Sequence, residues 1–290
     1  MANLKDIRTR INSVKTTRQV TSAMKMVSAA KLKKAQDDIS NIRPYVSKIS
    51  ELLVNLAGSL DGVDTIDFAK IREPKNVLLI AVTSNRGLCG AFNSNIAKEA
   101  IRQIKLNYRK TDIEVELMAI GKQGEKILRS NGEEITVEHN DLFKNLKFDE
   151  VTPIVDSLMS RFLRGELDRV FLVYNEFVNA GTQNVIYQQF LPIQLPVNSV
   201  ENQSADYIFE PNQITIVNQL IPKALRTIFW QSLLDSVAAE HGARMTSMHK
   251  ATDNATELLG DLQLTYNKAR QTSITNEILE IVGGAEALKK

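Results

Sequence analysis

The sequence offers few residues for covalent chemistry. Cysteine occurs once, at Cys89, so no disulfide can form within the 290 residues and packing must hold the fold. That usage suits a reducing, cytosol-like compartment. The three histidines, His139, His241 and His249, are too scattered to suggest a ligand set, and no metal site is expected. No apolar run reaches the length of about 18 residues that a membrane-spanning helix needs. The start, Met1-Ala2-Asn3-Leu4-Lys5-Asp6, lacks the apolar centre of a signal peptide and reads as helix almost at once. No Ser/His/Asp set or pair of carboxylates stands out, so no catalytic residue and no cofactor is assigned. The length and a hydrophobic content of 43% still allow a substantial core, in one large domain or two modest ones.

A formal net charge of +2 hides a strong asymmetry. Residues 1–50 carry eleven Lys or Arg against Asp6, Asp37 and Asp38, a balance of +8 that leaves −6 for the rest. Such a basic stripe implies an acidic partner, whether protein loops, nucleic acid or anionic lipid, or else a solvated helix face.

The N-terminal segment keeps a seven-residue repeat without a slip. One series is Leu4, Ile11, Arg18, Lys25, Leu32, Ile39, Val46 and Leu53; the other is Ile7, Val14, Thr21, Ser28, Ala35, Ile42, Ile49 and Leu56. Twelve of these sixteen positions are apolar. A period of 3.5 against the helix's 3.6 predicts left-handed supercoiling with a partner helix. Pro44 is expected to kink the helix or loosen one turn. The four polar positions, Arg18, Thr21, Lys25 and Ser28, are consecutive, while Val20, Ala23, Met24 and Val27 supply apolar surface on a shifted face. Two explanations stand: the helix packs there on something other than its mate, or the seam adjusts locally.

The C-terminal segment, from about 213 to 288, also reads as helix, with Pro222 a possible bend. Met245, Met248, Thr252, Ala255, Leu259, Leu262, Tyr266 and Ala269 keep 3-4 spacing. The pattern then restarts one residue late at Ile274, Ile278, Ile281, Ala285 and Leu288, a stutter that predicts new surroundings for the last stretch. At 1.5 Å per residue the two helices would reach about 80 Å and about 110 Å. The expectation is a shaft with a knob: antiparallel terminal helices, with the longer C-terminal one protruding as an apolar tip.

Between 75 and 198 the pattern changes to alternating strands and helices. Strands are expected at 77–84 (VLLIAVTS), 113–120 (IEVELMAI), 134–137, 169–177 (RVFLVYNEF) and 185–192, the last at an edge. Helices are expected at 93–108, 122–130 and 152–164. The fold class is therefore an α/β central domain, with a mostly parallel five-stranded sheet and flanking helices, plus a long antiparallel two-helix left-handed coiled coil. The divisions fall at 1–58, 75–198 and 212–290. Residues 85–91 (NRGLCGA) stand where a phosphate-binding loop would, yet match neither GxGxxG nor GxxxxGK[ST]. Gly87 and Gly90 read instead as enabling a tight strand-to-helix turn. Cys89 lies near a helix start, but with no histidine close in sequence it reads as structural.

Three stretches together resemble the gamma-subunit family of rotary F-type ATP synthases: IRTRINSVKTTRQVTSAMKMVSAAKLKKA (7–35), TSNRGLCGAFNSN (83–95), and ARMTSMHKATDNATELL with LTYNKARQTSITNEILEIVGGAEAL (243–259 and 264–288). The family more often has Asp at position 85. The resemblance implies a coiled coil inside a ring of alpha and beta subunits that carry the nucleotide sites. It places the α/β domain beside the epsilon subunit and on the membrane rotor ring of c subunits. It implies beta-subunit contacts at Met24, Lys25, Arg270, Gln271 and Thr275. It implies a bearing tip of Ile278, Ile281, Val282, Ala285 and Leu288, and a rotor-ring foot at Tyr207 and Glu210, where Phe209 replaces a frequent Tyr. The chloroplast dithiol switch cannot operate with Cys89 alone. The implied role is a non-catalytic rotor shaft with no cofactor and no nucleic-acid partner, peripheral on the cytoplasmic face of a bacterial plasma membrane. Two rival readings are a nucleotide-dependent enzyme on the α/β domain and a nucleic-acid-binding coiled coil using the basic segment.

Overall fold

The computed structural model describes residues 4–58, 66–109, 111–194, 210 and 213–287. They form two compact units, Ala29–Arg244 and Met1–Ser28 with Met245–Lys290.

In the larger unit, β1 (Asn76–Val82) lies parallel to β2 (Glu114–Ile120) and to β4 (Arg169–Asn179). The short β3 (Val137–Glu138) adds parallel to β2, and β5 (Thr182–Leu191) adds antiparallel to β4, giving the order β3-β2-β1-β4-β5. This is the expected mostly parallel sheet, with β5 at an edge. Each parallel step uses a helical crossover: α2 (Phe92–Gln103), α3 (Lys122–Ser130) and α4 (Phe148–Leu163). Only β4 to β5 is a hairpin, turned where Asn179 Oδ1 accepts the N–H groups of Gly181 (2.9 Å) and Thr182 (2.8 Å).

Alternation along β1 sets the layers. Leu79 and Ala81 pack with Ile96, Ala97 and Leu128 of α2 and α3. Leu78, Ile80 and Val82 face Val155, Leu158 and Phe162 of α4, and Ile221, Leu225 and Phe229 of the C-terminal helix. Both faces are covered, which is why VLLIAV is an unbroken apolar run. Several boundaries differ from the sequence reading: β1 ends at Val82 rather than 84, β4 runs on to Asn179, and the helix expected over 93–108 gives way at Ile104–Tyr108 to a π-helical stretch. Helix α4 starts a turn early, where Asp149 and Glu150 complement the helix dipole. Strand β5 starts at Thr182, because the Asn179 turn admits pairing at once. The third strand lies at Val137–Glu138 rather than 134–137, where Ala119 O takes the His139 N–H at 2.9 Å.

The terminal helices are α1 (Leu4–Gly58) and α5 (Gln213–Ala287), and each continues through its proline, Pro44 or Pro222. Within the larger unit they run antiparallel: Lys31 neighbours Glu240 and His241, while Arg43 lies 3.8 Å from Asp235.

All fifteen described positions of the α1 repeat are buried or half-buried. In the smaller unit the polar stretch stays in the seam: Thr21 is 9% exposed and Ser28 3%. The Thr252 hydroxyl donates to Thr21 Oγ1 at 2.9 Å. Within the chain the polar positions therefore stay in the seam by local adjustment, and α1 keeps its own mate there. The shifted face is left outward, with Val20 and Val27 exposed and Met24 half-buried. The stutter also needs correcting. The half-buried positions of α5 keep phase through Leu262, Tyr266, Ala269 and Ser273, not Ile274, and then stop. With Thr21 opposite Thr252, Leu4 falls level with about residue 269, so the described part of α1 gives the stripe beyond no partner.

Candidate functional site

Two surfaces could carry function: the last turns of α5, and the loop from Ser84 to Ala91 at the carboxyl end of β1, where α/β sheets commonly place a ligand.

On the end of α5, Arg270, Gln271 and Thr275 are all exposed. The Thr275 hydroxyl donates to the Gln271 carbonyl at 2.9 Å, a bond within the helix that leaves the Gln271 amide outward. Ile278 is 54% exposed and Ile281 71%, with Val282 and Ala285 also open. Lys25 and Met24 are half-buried on α1. Glu210 is exposed; Tyr207 and Leu288 lie outside the described residues. The contacting residues named from sequence thus lie in two groups of the smaller unit, one on α1 and one on α5.

The loop is tightly self-satisfied. Asn93 Oδ1 accepts the Ser84 N–H at 2.9 Å, and Asn93 Nδ2 donates to Cys89 Sγ at 3.2 Å. The Ser84 N–H and the Asn93 side-chain amide are thus committed within the protein. Burial pushes the Cys89 thiol up from its ordinary value, with the Ser84 hydrogen bond and Arg244 only partly opposing it. Cys89 is therefore a buried thiol within the core. Asn85 uses both ends of its amide, accepting the Lys122 N–H at 3.0 Å and donating to the Asn140 carbonyl at 2.8 Å. An aspartate there could make only the first bond.

The glycine reading of this turn holds for one residue of two. Gly90 has φ 61°, but the other left-handed residue is Leu88 at φ 64°, and Gly87 is not among the positive-φ glycines. A non-glycine residue in that region signals a conformation imposed from outside. Sequence reasoning missed what imposes it. Buried Arg244 and half-buried Glu240 and His241 on α5 form a polar group against this loop, with Arg244 Nη1 2.6 Å from Glu240 Oε1. The available signal was the Glu-x-x-x-Arg pair Glu240 and Arg244 in the stretch 237–244 (VAAEHGAR), which is otherwise Val, Ala and Gly apart from His241.

The ATP synthase family model matches residues 3–288. The ATP synthase gamma chain of Flavobacterium johnsoniae is 56% identical over 99% of both chains. That of Flavobacterium psychrophilum is 55% identical over the whole of both. Among solved structures, a chain from the central stalk and c-ring of Tetrahymena thermophila mitochondrial ATP synthase is 26% identical with a TM-score of 0.58. That match covers 80% of this chain and 99% of the other. A chain from the rotor of Euglena gracilis mitochondrial ATP synthase shares the fold at 19% identity and TM-score 0.66, over 93% of this chain and 98% of its own.

Proposed function

The chain belongs to the ATP synthase gamma family, and we propose that its work is mechanical, with no chemistry performed on its own residues. It is the gamma subunit of an F-type ATP synthase, part of the central stalk and rotor. It is thus a component of a membrane-associated complex, although no described helix is long and apolar enough to cross a membrane.

In this reading the terminal helices, 1–58 and 212–290, lie inside a ring of alternating alpha and beta subunits that hold the nucleotide sites. The sheet domain, 75–198, lies beside the epsilon subunit and on the ring of c subunits, at the cytoplasmic face of a bacterial plasma membrane. Proton flow turns the ring, and the asymmetric shaft favours a different conformation at each catalytic site in turn. Only differential interaction can shift such equilibria, so the contacts must change with angle. Met24 and Lys25 meet the beta subunits from α1, and Arg270, Gln271 and Thr275 from α5. Tyr207 and Glu210 form the foot on the c-ring.

The observation that carries this reading is the bare apolar stripe Ile278, Ile281, Val282 and Ala285 on a helix end without a mate among the described residues. Exposed apolar surface of this kind calls for a sleeve. Apolar contact also suits a bearing, because no directional hydrogen bond breaks at each step. Gly283 and Gly284 weaken the helix by roughly 1 kcal/mol each relative to Ala, so an enclosing partner would support it there. The test is to express the tagged chain with alpha and beta subunits, intact or lacking residues 279–290. The intact chain should co-purify with both and with ATPase activity. The shortened chain should give a less stable complex with lower torque that still turns. Failure of the intact chain to capture alpha and beta would overturn the assignment.

A further inference from the structure

Arg244 uses every nitrogen of its guanidinium. Nε donates to the Gly87 carbonyl at 3.3 Å, and Nη2 to the carbonyls of Arg86 (2.9 Å) and Gly87 (3.3 Å). Nη1 lies 2.6 Å from Glu240 Oε1 and 3.3 Å from His241 Nδ1. With the side chain only 8% exposed and its donors committed, the group has nothing left to offer an anion; it is a fastener. The Arg86 carbonyl also takes the Ser84 hydroxyl at 2.7 Å, so the Arg86–Gly87 peptide is held both from α5 and from within the loop. Leu88 itself, left-handed and 62% exposed, is presented outward on that braced backbone. Glu240 balances the buried cation, and the charges of Lys31 on α1 and Arg86 in the loop also act on it.

We propose that Arg244 is a positioning residue, pinning the loop from Ser84 to Ala91 to α5 so that loop and helix turn as one body. The inference rests on the rotor reading above. In a turning shaft, a loop that presents an exposed apolar residue, Leu88, must not lag behind the helix that carries the torque. A loop held only by its own short bonds would yield first. A bidentate fork on two consecutive carbonyls resists twist in a way that a point charge cannot, so lysine should not replace arginine here.

The test uses the complete enzyme in sealed vesicles, carrying the wild-type chain, Arg244→Lys, Arg244→Gln or Glu240→Gln. Two quantities are read: protons pumped per ATP hydrolysed, and amide hydrogen exchange of the peptide covering residues 84–91. Both Arg244 variants should speed exchange in that peptide about tenfold while β1 and α2 keep wild-type protection, because only the local opening is made easier. Both should also lower the pumping ratio, Lys no less than Gln. Glu240→Gln leaves the carbonyl bonds in place and should fall between these and wild type. If Arg244→Lys restores both readouts, charge rather than the fork is at work and the proposal fails. It fails equally if the loop loosens while pumping per ATP is unchanged. Should the Arg244 variants not assemble, two results still decide: slow exchange of this exposed loop in the wild-type enzyme, and its acceleration in Glu240→Gln. A wild-type chain that hydrolyses ATP without pumping would instead sink the rotor reading.

Discussion

At the scale of single residues, a buried and a half-buried titratable group on α5 work against each other with pH. Burial, with Glu176 adding, pushes the Asp235 carboxyl up to about 6 against the opposing pull of Arg43 and a hydrogen bond from Gln231. Its Oδ1 is buried without a hydrogen-bond partner, and Arg43 stands 3.8 Å away. Burial, with Arg244 and Lys31 adding, pushes His241 down to about 4. For Asp235 the folded chain holds the proton longer than the unfolded one. Its contribution is therefore present below the ordinary carboxylate range and lost as pH rises towards 6. For His241 the unfolded chain takes up the proton first, so its contribution is present above 6.5 and lost as pH falls towards 4. Between these limits the slopes have opposite sign. Relative to wild type, Asp235→Asn should gain stability as pH is raised from about 4 to about 6, and His241→Gln should lose it over the same span. Denaturant unfolding of the full chain at several pH values checks both; parallel curves for all three proteins would refute the assignment.

Among the elements, the seam of the smaller unit shows polar residues serving as coiled-coil contacts. Thr21 donates to the Arg18 carbonyl at 3.1 Å and receives the Thr252 hydroxyl, which also lies 2.7 Å from the Met248 carbonyl. These bonds along the helices satisfy each hydroxyl even when its opposite is removed, so the cross-helix bond should be a modest term. Thr21→Val, Thr252→Val and the double variant should yield a favourable coupling of about 0.5–1 kcal/mol, read from thermal unfolding as a double-mutant cycle. Strict additivity would mean the hydroxyls do not meet in solution. The heptad spacing made this seam legible in the sequence, including its polar members. The sequence did not reveal that Ile274 falls off the seam, because a one-residue phase break looks the same whether the helix meets a new partner or none.

For the molecule as a whole, function depends on groups that contribute little to its own stability. Arg270 and Gln271 are exposed, and exposed polar groups of this kind usually change stability by less than about 0.5 kcal/mol. Replacing both by Ala should leave unfolding of the chain and assembly with alpha and beta intact, yet alter the ATPase rate and its temperature dependence. Contacts made in one rotary state alone would change barriers between states without changing the fold. Wild-type kinetics in a fully assembled double variant would count against the contact.

The sequence alone determined whatever depends on spacing along the chain. The α1 repeat, the continuous apolar strands and the crossover helices are periodic patterns, and they suffice for the sheet and the helix pair; the family came from the motif stretches. Residue contacts with subunits came from matching motifs, since an exposed Arg on a helix carries no signature of what it touches. Tertiary structure decided the rest. It brought Arg244 to the carbonyls of Arg86 and Gly87, more than 150 positions away in sequence. It put Leu88, not Gly87, in the left-handed conformation, and left Asp235 buried beside Arg43. Such contacts between distant segments are fixed when the sheet and helices pack, and no local pattern can carry them.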